Sequence, residues 1–153
     1  MIRSKLLLAV ALSLGSLSAC RAGGADVASA ARTVPLTIKS AGKVHSFAVE
    51  VARTEAEQER GLMFRDHLSP KGGMIFPMNP PRVASFWMKN TLIPLDMIFI
   101  RADGTIARIA ADTVPYSLAP VGSDEPVAAV LEIAGGRAGE LGISEDDKVE
   151  WPK

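Results

Sequence analysis

The sequence predicts an α+β domain of mostly antiparallel strands, forming a curled sheet or small barrel with one or two short helices. Three observations predict it. Short runs rich in Val, Ile and Phe recur between tight turns of Gly, Pro and Asp. Helix signals are confined to brief segments. The strands are not separated by helices of useful length, which disfavours a parallel α/β sheet.

In chain order, Val34–Lys39 and Val44–Val51 are β-rich runs separated by Ser40-Ala41-Gly42, a hairpin signal. Thr54 opens a helix, and Glu57 three residues on completes a capping box. Gly61 stands where a helix C-terminal glycine belongs. Arg65–Gly73 reads as loop, Gly73–Phe76 as a short strand and Pro77–Arg82 as a second, proline-stiffened loop. Ser85–Asn90 and Leu95–Arg101 read as strands broken at Pro94, which cannot donate to a central ladder. Ala102-Asp103-Gly104 turns the chain into a strand at Thr105–Ala111, and Pro115–Pro126 is expected to be a long loop. Val127–Ile133 follows as a strand, Gly135-Gly136 breaks it, Arg137–Leu141 offers one helical turn and Lys148–Trp151 closes the domain.

The start of the chain carries a different signal. Arg3 and Lys5 precede an apolar stretch from Leu6 to about Leu17, followed by Ser18-Ala19-Cys20. Small residues just before a cysteine fit a bacterial lipoprotein signal at residues 1–19, with Cys20 acylated as the new N-terminus. An ordinary secretory signal that happens to contain a cysteine is the other reading. The apolar stretch is short of the roughly 20 residues of a membrane-spanning helix. Residues 20–33 then read as the acylated cysteine and a small, polar tether, and residues 34–153 as one globular domain. Arg21, where an aspartate would favour inner-membrane retention, points to the periplasmic face of the outer membrane if the organism is Gram-negative.

Cys20 is the only cysteine. Once acylated it leaves no thiol for a disulfide, a thiolate metal site or a nucleophile. Seventeen basic and seventeen acidic side chains balance, so loss of Arg3 and Lys5 makes the mature chain slightly acidic. Without a basic patch interleaved with aromatics, nucleic acid is not an expected partner. The expected partners are a membrane, through the N-terminal lipid, and a small molecule or envelope protein; no cofactor is implied.

Three motifs are similar to those of a known family: Gly61-Leu62-Met63-Phe64-Arg65, Gly73-Met74-Ile75-Phe76, and the run from Phe86 to Ile100, FWMKNTLIPLDMIFI. In this order they resemble domain-of-unknown-function family 192, with a weaker continuation through Pro115 and Leu131-Glu132. Met78 stands where that family often has an aromatic. The resemblance implies a compact, mostly β fold and no established activity.

The run from Phe86 to Ile100 is also the chemically odd one, because Lys89, Asn90, Thr91 and Asp96 interrupt large apolar side chains. A buried charge is costly unless paired. In an extended Leu95–Arg101, Asp96 shares a face with Ile98 and Ile100, an apolar face. Arg65 and Lys89 are its candidate partners, an arginine in a bidentate fork. Two readings stay open. In one, Asp96 is a structural clamp on the loop around Asn90–Pro94, with Asn90 and Thr91 satisfying turn backbone. In the other, Arg65, Lys89, Asn90 and Asp96 line a polar notch in a ligand-binding concavity walled by Phe64, Phe86 and Trp87. Catalysis by an envelope hydrolase or transferase would use Asp96 as general base, with Lys89 or Arg65 stabilising an anion. A purely structural or assembly role is the third possibility.

The remaining candidates are weak. His45 reads as an exposed strand residue, and His67 lies in the loop after Arg65. Met63, Met74, Met78, Met88 and Met97 could in principle hold Cu(I), but Met in apolar runs is an ordinary core filler. Ser144–Asp147 lacks the glycine and spacing of a calcium loop, and no metal site is expected.

Overall fold

The computed structural model describes residues 33–152. The signal segment, Cys20 and nearly all of the tether lie outside the described residues. The chain forms β1 (Thr33–Ser40), β2 (Lys43–Val51), α1 (Glu55–Arg60), β3 (Gly72–Phe86), β4 (Leu95–Ile100), β5 (Ile106–Thr113), β6 (Val121–Ala134), α2 (Arg137–Leu141) and β7 (Lys148–Glu150). The strands make one sheet in the order β5-β4-β6-β3-β2-β1-β7. It curls until its ends approach: Thr105 bridges Lys148, and Val149 N donates to Gly104 O at 2.8 Å.

Local chemistry accounts for the first elements. Ala41 and Gly42 both take positive φ, 46° and 76°, the conformation a two-residue hairpin turn needs between β1 and β2. At α1, Thr54 Oγ1 accepts from Glu57 N, while Glu57 Oε2 accepts from Thr54 N, the expected capping box. The backbone N–H groups of Thr54 and Arg53, both donating to Glu57 Oε2, hold the Glu57 carboxyl below its ordinary pKa. Gly61 caps the C-terminus at φ 46°.

Two expectations about loops fail. Pro77–Arg82 is no separate loop, and Gly73–Phe76 does not end at Pro77: β3 runs unbroken from Gly72 to Phe86. The prolines are absorbed by a slip in register against β6, where Pro77 opposes Ala129 but Arg82 opposes Val127. Extra residues bulge out of the ladder, so proline forfeits no central hydrogen bond. Similarly, the second half of Pro115–Pro126 belongs to β6, which begins at Val121; Pro126 sits beside another register shift. Ser85–Asn90 ends as strand at Phe86, and Lys89-Asn90 is a turn.

The pairings are antiparallel except one. β2 and β3 run parallel, Val49 opposite Gly73, and a parallel pair requires a crossover connection. That crossover carries α1. Gln58 docks it, Nε2 donating to Ala52 O and Pro77 O.

Alternation along the strands builds two cores. Inside the curl lie Leu36, Ile38, Phe47, Ile98, Leu131 and Val149, drawn from both ends of the sheet. Under the crossover, on the outer face, lie Leu62, Met74, Phe76, Met88, Met97 and Val130. Gly73 has no room for a side chain: a Cβ there would meet Glu132 O at 2.6 Å.

Candidate functional site

Asp96 is fully buried on the inner face, in line with its predicted parity beside Ile98 and Ile100. Its expected cation is absent. Oδ1 accepts from Asp112 N and Gly136 N, each at 2.9 Å, and Oδ2 accepts from Ala138 N at 2.7 Å. Three backbone donors solvate the carboxylate as water would. Asp96 therefore clamps the end of β5 and the start of α2, not the Asn90–Pro94 loop. α2 needs it, because its N-cap is Gly136, which has no side chain to cap with. Gly136 takes φ 77°, and Gly135 packs so tightly on Pro94 that a Cβ would lie 2.8 Å from Pro94 Cβ.

The other predicted partners are dispersed. Arg65 forks onto Glu50, NH1 to Oε1 at 2.5 Å and NH2 to Oε2 at 2.7 Å, and this pairing holds its pKa above the ordinary value. Lys89 extends over the Trp87 ring, 5.0 Å from its centroid. Asn90 takes φ 53° and receives Phe64 N on its carbonyl, while buried Thr91 donates to Lys89 O. Arg65, Lys89, Asn90 and Asp96 thus do not form one polar notch. Phe64 does not wall a pocket either; it is 64% exposed.

A concavity exists on the opposite, outer face of the sheet. It is a cavity of about 660 Å³ between the crossover and β3. Leu62, Met63, Phe76, Met78, Phe86 and Trp87 supply apolar wall, and Phe76 meets Phe86 edge to face at 5.1 Å. Glu55, Glu59, Arg60, Arg82 and Lys89 also border it. Of the predicted site residues, Trp87 and Lys89 belong to this lining.

At its bottom lies a residue that sequence reasoning missed. Glu132 is only 5% exposed, on central strand β6, and lines the cavity. It is flanked by Met74 on β3 and Met97 on β4. Among the described residues no side chain or backbone group hydrogen bonds its carboxyl, and burial alone pushes its pKa up to about 8. A pKa raised to about 8 favours the protonated form of Glu132 at neutral pH, and in that form it can donate a hydrogen bond into the cavity. The signal was there: VAAVLEI is an apolar strand interrupted by one charge, as Asp96 interrupts its own.

The lesser candidates fall to ordinary places. His45 is half-buried rather than exposed, its Nε2 without a hydrogen bond, and His67 is exposed. Met74, Met78, Met88 and Met97 pack in the outer core. Among the described residues no three His, Cys, Asp or Glu side chains converge as a metal cage. Asp147 Oδ2 accepts from Ser144 N, closing the acidic turn locally.

The model of DUF192 (Uncharacterized ACR) matches residues 36–151. The chain belongs to this family. No curated protein matches it. A crystal structure of a protein of unknown function from Novosphingobium aromaticivorans is 52% identical, covering 78% of this chain and 85% of that one, with a TM-score of 0.76. A second, of a protein from Sinorhizobium meliloti described as a candidate transcription regulator, is 42% identical. It covers 78% of this chain and 93% of its own, also at a TM-score of 0.76. The motifs by which the sequence resembles DUF192 build both the clamp and the cavity: Asp96 and Pro94 serve the first, Gly61–Met63, Phe76, Phe86 and Trp87 the second.

Proposed function

We propose that this DUF192 protein is a lipid-anchored cell-envelope domain that binds a small, largely apolar molecule carrying a hydrogen-bonding group. The ligand would occupy the cavity beneath α1, with Glu132 as its polar contact. One observation carries this reading: a buried carboxyl with no hydrogen-bond partner among the described residues, at the bottom of an aromatic-lined cavity. The carboxyl faces the cavity, where a ligand group can supply the hydrogen bond that the protein does not. Glu55, Glu59, Arg60, Arg82 and Lys89 at the border favour a ligand whose outer end is polar. An envelope protein offering a side chain to the cavity is the macromolecular form of the same proposal.

Two other readings have less support. Hydrolysis or transfer through Asp96 would need a free lone pair near solvent, whereas its oxygens receive three N–H donors in a sealed site. The regulatory description of the Sinorhizobium protein would call for a basic docking face. Here Arg65, Arg101, Arg108 and Arg137 are each held in ion pairs.

The test is a thermal-shift screen of small amphiphiles, aromatic acids and amides against wild type, Glu132→Leu and Trp87→Ala. A ligand that stabilises the wild type and loses about tenfold in affinity in either variant supports the proposal. Ligands that shift all three proteins equally, or no ligand at all, defeat it.

A further inference from the structure

Six of the eight large apolar side chains exposed among the described residues, Phe64, Trp87, Leu92, Val114, Tyr116 and Leu118, are between 38% and 68% exposed, and the other two are Val44 on β2 and Val83 on β3. The six are close in the fold. They come from three separate segments knitted around one turn. Phe64 N donates to Asn90 O, Tyr116 N to Thr91 O, and Met88 N to Ser117 O. Phe64, Asn90 and Tyr116 all take left-handed conformations, with φ of 63°, 53° and 60°. For the two aromatic residues this is an uncommon, strained backbone, and both side chains are exposed. A patch maintained against such strain is more than scattered surface hydrophobicity.

The first described strand is linked to the Phe64 segment. Thr33, where the described chain begins, pairs with Glu50, and Glu50 forks onto Arg65, the residue after Phe64. Only about a dozen residues separate Thr33 from Cys20, a reach of at most ~45 Å. A tether of that length would let the Phe64–Trp87 surface lie on the bilayer that holds Cys20.

We infer that the patch around Trp87 and Tyr116 is a membrane-contact surface, resting on the lipid bilayer to which Cys20 ties the domain. The inference rests on the lipid-anchored reading above. Trp and Tyr, amphipathic rings with a polar handle, are the side chains that favour the headgroup level, and Lys89 beside Trp87 can reach lipid phosphate. Trp87 and Lys89 also border the cavity, so its mouth opens on the same side.

The test uses the full chain, processed in bacteria and reconstituted in phosphatidylethanolamine/phosphatidylglycerol vesicles. Trp151→Phe leaves Trp87 as the sole tryptophan. Brominated lipid should quench its emission at least twofold, aqueous iodide should not, and Phe64→Ser/Tyr116→Ser/Leu118→Ser should reverse the pattern. Should Trp151→Phe unfold, hydrogen exchange at residues 114–118 of the wild type, expected to slow about tenfold on vesicles, reads the same contact. The mass of the Cys20 peptide separates the two ideas. A peptide without acyl groups removes the anchor and this inference with it. An acylated protein whose Trp87 remains open to iodide, and whose loop exchange is unchanged, overturns the membrane contact alone. Protection that follows protein concentration rather than lipid assigns the patch to a second copy and also overturns it.

Discussion

Asp96 and Glu132 lie on adjacent, hydrogen-bonded strands yet face opposite sides of the sheet: Asp96 pairs with Ile133, and Glu132 with Met97. The one-residue offset separates two buried carboxyls into two environments. On the inner face three backbone donors meet Asp96. On the outer face Glu132 meets methionines and a cavity. Each residue therefore makes a different prediction.

Glu132 makes stability depend on pH. Its pKa rises on folding from the ordinary 4.5 to about 8, so between these values the folded state holds a proton that the unfolded chain has lost. Stability falls as pH rises through that window; the contribution is fully present below 4.5 and lost as pH passes about 8. Glu132→Gln keeps the shape without the titration. Unfolding in urea at pH 5 and pH 9 should show the variant gaining a few kcal/mol relative to wild type at the higher pH, at roughly 1.4 kcal/mol for each tenfold difference in proton affinity between the folded and unfolded chains. Parallel pH profiles for the two proteins would count against a buried neutral acid.

For Asp96 the expectation concerns assembly of the fold. In Asp96→Asn the amide nitrogen would face a backbone N–H where a carboxylate oxygen now accepts. A donor is left unsatisfied inside the protein, and the loss should be about 2–3 kcal/mol. Hydrogen exchange should accelerate first at Gly136–Leu141, because α2 has no side-chain cap of its own. Any ligand of the Glu132 cavity should bind the folded variant with unchanged affinity, since Asp96 is not among the cavity's lining residues.

Much of this organisation was legible in the chain. The hairpin at Ala41-Gly42, the capping box at Thr54 and the apolar face of Asp96 follow from local geometry, which neighbouring residues decide. What was not legible depends on distant partners. Asp96 is met by backbone from β5 and α2, and backbone N–H groups leave no mark in a sequence, whereas Arg65 and Lys89 are conspicuous. Arg65 was claimed instead by Glu50, a residue in an ordinary strand. The prolines of β3 suggested a loop because a bulge that spares the ladder is set by the partner strand. Glu132 carried the same sequence signal as Asp96, yet only the crossover from β2 to β3 shows that a cavity lies above it.

The Glu50–Arg65 fork offers a smaller effect. Its side chains are 19% and 34% exposed, so solvent screens the pair. Arg65→Ala should cost about 1 kcal/mol in urea unfolding, well below Asp96→Asn. A larger loss would mean that Arg65 also braces the Phe64 loop through its packed stem.

Gly73 sets the last expectation. On β3 it lies between β2 and β6, where a methyl group would press on Glu132 O at 2.6 Å, Ile133 Cγ2 at 3.2 Å and Val49 Cγ1 at 3.3 Å. The first contact is backbone and cannot rotate away, so Gly73→Ala must push β3 from β6. Overpacking of this kind costs about 1–3 kcal/mol. The two strands forced apart carry Met74 and Glu132, so the damage should reach the cavity as well. Gly73→Ala should therefore lower both stability and ligand affinity. Asp96→Asn should lower stability alone, and comparing the two in one thermal-shift titration separates damage to the fold from damage to the site.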